Sequence, residues 1–383
     1  MKDQRPRPTR LDVFRTSLPM RTFEHSAARR DVAEGVVVRV TFADGTCGWG
    51  EALPRPYVTG ETIETVLADL AQTLWPACLA GRELPGLADG RCIHAAAGAI
   101  ELAMTDRLLG RRGQLDQADF PHLTLPERPH RIAGRVSGVV GSSDPARTAG
   151  RLWKMRLFDL RDIKVKLGIG ADIDRENLRI VSKKLAGRIA AGKCTLRVDV
   201  NGAWPADEAP DRVAELAPLG VCVVEQPAKL SAGELAELAR RCALPLMADE
   251  SLLTWADAKA LLAGAGDKPV WWNLRIGKNG GWAPTLALAF EAARRGVPFV
   301  AGCLVGESSI LSAAQRRLLQ WAPAPRFIEG NWGLFLMRGD LTSPSLRFRY
   351  GGRLSVLRGA GLGVHVDPRR LERYGTLVAS LGS

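Results

Sequence analysis

TLRVDVN (195–201), VCVVEQP (221–227) and PLMADES (245–251) are three short apolar runs, each closing on an acid: Asp199, Glu225 and Asp249. The acids lie 26 and 24 residues apart. That interval is the length of one strand–helix–strand repeat. In a barrel of parallel strands, successive repeats set their strand ends side by side. Three carboxylates converging there would repel one another strongly unless a divalent cation stood between them. Ligation by oxygen alone suits magnesium or manganese rather than zinc.

The same rhythm continues on both sides. RVSGVV (135–140) and DIKVKL (162–167) come before, and VWWNLR (270–275), VPFVAG (297–302) and PRFIEG (325–330) come after. Eight apolar runs separated by helical patterns predict an α/β fold, a (β/α)8-type barrel over 131–340. Upstream, EGVVVRVTFADGTCGWGEA (34–52) alternates and turns at ADG, which predicts a hairpin. ETIETVLADLAQTLWPACLAG (61–81) and HAAAGAIELAMTDRLLGRRG (94–113) have helical spacing. Residues 1–130 are therefore expected to form an α+β capping domain, with PHLTLPERPHR (121–131) as the linker. The alternation stops near residue 340, and 341–383 are expected to pack back on the cap.

Composition narrows the function. With 46% hydrophobic and 25% charged residues, the chain is an ordinary globular protein with ample material for a large core. No run approaches the ~18 apolar residues of a membrane span. The start, MKDQRPRPTRLD, carries no apolar stretch, so no secretory leader is expected. The 7 cysteines are scattered without a CxxC pair, which argues against a disulfide framework or a zinc ribbon. A reduced, cytoplasmic protein is expected. The net charge of +12 raises the question of nucleic acid, but the basic residues are dispersed and no nucleic-acid motif is present. An anionic small molecule is the expected partner, with no nucleic acid or membrane, and the protein is expected to be a homo-oligomer.

Active sites of such barrels form at the C-terminal strand ends. DIKVKLG offers Lys164 and Lys166 there, two residues apart and so on the same side of the strand. A buried lysine beside a cation loses its proton more readily and can serve as a general base. Asn201 follows Asp199 by two residues and shares its side. Glu250 and Ser251 follow Asp249, with Glu250 as a support for the metal shell or as a helix-starting acid. NLRIGKNGG (273–281) brings Asn273, Arg275 and Lys278, and GCLVGESSILSAA (302–314) brings Glu307. Its serines read as turn and cap residues, and no GxSxG elbow exists.

In order along the chain, KxK, DxN, EQP, ADES and NxRxxKNGG resemble the enolase superfamily, muconate-lactonizing-enzyme subgroup. The likeness runs nearly end to end. It includes GWGEALPRPYVTGET (48–62) in the cap and GAGLGVHVDP (359–368) in the tail. The resemblance implies a Mg²⁺ ion on Asp199, Glu225 and Asp249 that stabilises an enediolate, with Lys166 as base and Lys164 as its electrostatic neighbour. It also implies that cap loops cover the site. MRTFEHSAARR (20–30) and PRPYVTGE (54–61) are the candidates, with Arg55 and Tyr57 facing the substrate. None of the 5 histidines falls between Arg131 and Asp340, so the mandelate-racemase branch, which uses a barrel histidine, is not expected.

One position departs from the subgroup. Its strand-six motif usually reads N-x-K-x-x-K, and the first lysine is the second base. Here that residue is Arg275, whose side chain does not give up its proton in practice. One-base chemistry on a carboxylate, as a lyase (dehydratase) or cycloisomerase, is therefore the leading expectation. A racemase or epimerase of the same superfamily is the alternative, and a non-catalytic metal- or anion-binding barrel is the second.

Overall fold

The computed structural model describes residues 6–25, 28–112, 115, 117, 120, 123–132, 134–141, 143–264 and 266–382. Eight parallel strands form one sheet: Gly138–Val140, Asp162–Lys166, Thr195–Asp199, Val221–Glu225, Leu246–Ala248, Trp271–Leu274, Phe299–Ala301 and Phe327–Ile328, here called barrel strands one to eight. They neighbour one another in sequence order, and a parallel bridge between Val136 and Ile328 closes the circuit. All eight apolar runs are strands. Their continuous apolar character reflects burial on both faces, inside by the barrel core and outside by helices. Val223, Met247, Val300 and Phe327 fill part of the interior. The helix Ala232–Arg241 shows how the outer layer is started: Ser231 and Glu234 cap it reciprocally, and its apolar face, with Leu235 and Leu238, is buried.

The N-terminal part is an antiparallel sheet. Pro8–His25 pairs with Ala28–Phe42, which pairs with Cys47–Ala52. Helices over Ile63–Leu79 and His94–Arg112 pack against it. Cβ atoms at Gly48 and Gly50 would lie 1.9 Å from the carbonyls of Ala103 and Ala99, so only glycine lets helix and strand approach this closely. The final strand, Gly375–Gly382, pairs antiparallel with Pro8–His25. Within the expected loop 20–30, residues 20–25 and 28–30 instead belong to two paired strands, with Phe23 opposite Arg30. Their polar and alanine-rich sequence hides the alternation, and partner-strand hydrogen bonds override weak propensity. Ser26 and Ala27 of that stretch, and Pro121 and His122 of the expected linker, lie outside the described residues. Among the described residues no helix is long and apolar enough to cross a membrane.

Two glutamates join the two parts. Glu51, on a cap strand, accepts from Ser308 N (3.0 Å), Ser308 Oγ (2.7 Å) and Leu311 N (3.2 Å), at the start of barrel helix Ser309–Trp321. Glu101, on a cap helix, accepts from Trp282 N (2.5 Å) and Ala283 N (2.9 Å), at the start of helix Trp282–Arg294. Each satisfies N–H groups that a helix leaves unpaired. Burial pushes both carboxyls up to about 7, against those hydrogen bonds. Glu101→Ala would strand two buried N–H groups, and urea unfolding should show a loss of about 1–3 kcal/mol. Glu101→Gln, which keeps an acceptor, should lose less.

Candidate active site

Barrel strands two to six present their residues in one arc at a single mouth. Lys164 and Lys166 come from strand two, Asp199 from three and Glu225 from four. Asp249 follows strand five, and Asn273 and Arg275 come at strand six. Cations thus stand at both ends of a row of three acids. All three acids are fully buried, as are Asn273 and Lys278.

Each acid is held by specific partners. Lys166 Nζ lies 2.5 Å from Asp199 Oδ2 and 2.8 Å from Asn201 Oδ1. Lys164 Nζ sits among Asp199 Oδ2 (3.2 Å), Glu225 Oε2 (3.1 Å) and Glu329 Oε1 (2.8 Å). Glu225 Oε1 also accepts from Asn273 Nδ2 at 2.7 Å. Lys278 Nζ donates to Asp249 Oδ1 (2.9 Å) and to its carbonyl (2.6 Å). One guanidinium nitrogen of Arg275, Nη2, contacts both Glu225 Oε1, at 3.4 Å, and Asp249 Oδ2. Arg275 therefore bridges two of the three acids. It makes no ion pair with Glu307 or Glu329, the other partners open to it.

The charges interlock. Burial opposes ionisation of Asp199, but Lys166 and Lys164 outweigh it and hold the carboxyl far below its ordinary range. Burial, and then the neighbouring Asp199, push Glu225 up to about 7. Burial works against the charge of Arg275 as well, yet Asp249 and Glu225 raise its pKa well above the ordinary value. This side chain is a permanent cation. Burial lowers the Lys278 pKa despite Asp249. Burial and then Asp249 push Glu250 up to about 8.

A narrow cleft opens above the acids, with Lys164, Lys166, Asn201, Arg275, Tyr57 and Glu329 in its lining. Three cations and one acid line it, and each of the cations is also paired with a buried acid. Phe23 and Trp332, stacked with ring centroids 6.3 Å apart, also line it. Phe23 and Tyr57 thus bring the cap to the barrel mouth.

Other expected site residues take different places. Asn201 has a left-handed backbone, φ 49°, which asparagine tolerates. Its amide spans Lys166 and Glu250, donating to Glu250 Oε1 at 3.1 Å. Lys278 is held beneath the cleft by Asp249 and does not line it. Glu307 turns back on its own loop, accepting from Leu304 N at 2.7 Å, and burial pushes it up to about 8. Arg55 does not face the cleft. It is 1% exposed, and its guanidinium donates to the carbonyls of Pro54 (2.8 Å), Glu34 (3.2 Å) and Val305 (2.9 Å). Arg55 was expected to face the substrate, but with its donors taken by backbone carbonyls it latches the cap to a barrel loop.

Three residues carry more of the site than their sequence context suggested. Arg197 lies two residues before Asp199, so the alternation that turns Asp199 inward turns it inward too. It donates to Glu329 Oε1 (2.9 Å) and Ser137 Oγ (2.9 Å), and its guanidinium stacks 4.3 Å from the Phe327 ring centroid. Glu329 ends strand eight as the other acids end theirs. Burial opposes its charge, but Lys164 and Arg197 bring it down to about 2. Gln226, inside EQP, accepts from Asp249 N (3.0 Å) and Ser251 N (3.1 Å), and so fixes the end of strand five. Gly302 makes room at strand seven, since a Cβ there would meet Asn273 Oδ1 at 1.9 Å and Arg275 Cγ at 2.9 Å.

The donor set fits magnesium or manganese in kind, being three oxygen-bearing carboxylates. As arranged, their charges are met by Lys164, Lys166, Arg275 and Lys278. Among the described residues no three acid, histidine or cysteine side chains stand together as they would around one ion.

Comparison with known proteins gives this geometry a context. Residues 145–370 match the family described as "Enolase C-terminal domain-like". The chain is 33% identical to the L-Ala-D/L-Glu epimerase of Escherichia coli K12, over 79% of this chain and 88% of that protein. It superposes on the 2-chloromuconate cycloisomerase of Rhodococcus opacus 1CP with a TM-score of 0.79 and 26% identity, covering 97% of this chain and all of that one. The dipeptide epimerase of Cytophaga hutchinsonii, solved with Mg and D-Ala-L-Val, shares the fold at a TM-score of 0.78 and 20% identity, over 98% of this chain and 99% of that one.

Proposed function

The chain belongs to the enolase superfamily, and from that membership we propose that it removes the proton alpha to a substrate carboxylate from one face, with Lys166 as the only base. The observation that carries this reading is Arg275. It stands across the mouth from Lys166, four barrel strands away, where two-base chemistry needs a second group able to give up a proton. Asp249 and Glu225 keep it charged. A single base leads to elimination, as in a dehydratase, or to cycloisomerisation.

The residues divide the work. Lys164, Lys166 and Arg275 draw the carboxylate into the cleft. Asn201 aims Lys166 by accepting a hydrogen bond from its Nζ. Nζ, 2.5 Å from Asp199, acts as the base once it has shed a proton. A divalent cation, which Asp199, Glu225 and Asp249 would hold, supplies charge neutralisation for these acids and for the enediolate oxygens. Lys164 keeps positive charge beneath the cleft throughout, since Glu225, Glu329 and Asp199 together overcome the effect of its burial. Tyr57, Phe23 and Trp332 cover the substrate and limit water.

The second reading, epimerisation, is favoured by the 33% identity to an epimerase. It requires another proton carrier. Lys278, the remaining candidate, is buried against Asp249 and does not reach the cleft. The test is a carboxylate library of acid sugars, dipeptides, N-acyl amino acids and lactones, incubated in D₂O with magnesium. Deuterium entering the alpha position, dependent on Lys166, is the expected result. No exchange in any class would defeat the assignment.

A further inference from the structure

We propose that Arg275 is a resident cation at the carboxylate cluster, and that a divalent metal binds there only as this guanidinium withdraws. The inference rests on the reading that Asp199, Glu225 and Asp249 form the metal site.

Four observations support it. The Nη2 atom of Arg275 contacts Glu225 and Asp249 at once, so it stands between two acids assigned to one ion. The acids have no solvent exposure, and Arg275 lies between them and the cleft it lines. The side chain is poorly anchored otherwise. Its Nε is buried without a hydrogen-bond partner, and among the described residues its guanidinium makes no side-chain ion pair apart from those with the two acids. Its backbone, by contrast, is fixed, with Arg275 N donating to Asn279 Oδ1 at 2.9 Å. A fixed stem whose head is held by these two carboxylates can exchange that grip for another anion in the cleft. A metal ion and the guanidinium then compete for the same oxygens, and the cluster stays charge-compensated whichever is bound.

Arg275→Lys tests this while keeping the formal charge. A lysine ends about one bond short of the guanidinium nitrogens, so from this backbone position its head does not reach both acids. Mn²⁺ affinity, read by calorimetry and by the electron paramagnetic resonance of the bound ion, should tighten roughly 10- to 100-fold, the span expected when hydrogen bonds between charged groups no longer have to be broken. Arg275→Met should tighten it at least as much, and near-UV circular dichroism of both variants checks the fold. Equal Mn²⁺ affinity in all three proteins, abolished by Asp249→Asn, would leave the metal site standing and overturn the competition. Failure of all three to bind Mn²⁺ would defeat the metal assignment and this inference together.

Discussion

Lys166→Ala is expected to lower kcat by about a hundredfold to ten-thousandfold, the usual contribution of a positioned general base. The side chain sits at the floor of the cleft, 7% exposed, and its Nζ is aimed by Asn201 at 2.8 Å. The loss should fall on kcat more than on KM, because Lys164 and Arg275 still attract the carboxylate. Mn²⁺ binding should persist, since the three acids remain. Alpha-deuterium exchange in D₂O should disappear along with turnover. A variant that keeps most of its exchange would assign the base elsewhere.

Lys164→Met is expected to act on stability instead, although both lysines come from one KxK. Lys164 Nζ is the shared counter-ion of Asp199, Glu225 and Glu329, at 3.2, 3.1 and 2.8 Å. Removing one partner from a buried ion cluster leaves uncompensated charge, at a cost of about 3–5 kcal/mol. Lys166 is bound to one of those acids and touches the cleft, so Lys166→Ala should cost less. Urea unfolding of the two variants side by side reads the difference. Equal losses would mean that the acids share their compensation evenly across the arc.

The fold was legible because each barrel strand is a short apolar run with a helix-length interval after it. The acids of strands three to five were legible for the same reason, since a charged residue closing a buried strand has few places to go. Glu329 obeys that rule too, and Arg197, inside strand three, turns inward by alternation with Asp199. They were overlooked because an arginine and a terminal glutamate read more easily as surface residues. Hydrogen-bond direction was the part the sequence carried least. Nothing in PRPYVTGE says that Arg55 spends its donors on the carbonyls of Pro54, Glu34 and Val305, one of them 250 residues away. Nor does NxRxxK say that Arg275 grips Glu225 and Asp249. Both depend on which acceptors tertiary folding leaves within reach. Residues 20–25 and 28–30 reach the site as expected, through Phe23, but as paired strands rather than a loop, since that pairing is supplied by a partner strand rather than by their own side chains.

One-face proton removal is the central claim, and stereospecific exchange tests it most directly. A carboxylate substrate found by the screen would be prepared as separate enantiomers, each with its alpha hydrogen intact, and followed by proton NMR in D₂O. With Lys166 on one face and a permanently charged Arg275 on the other, one enantiomer should lose its alpha signal and the mirror image should keep it. Loss of the alpha signal at equal rates from both enantiomers would contradict the account and make the protein an epimerase.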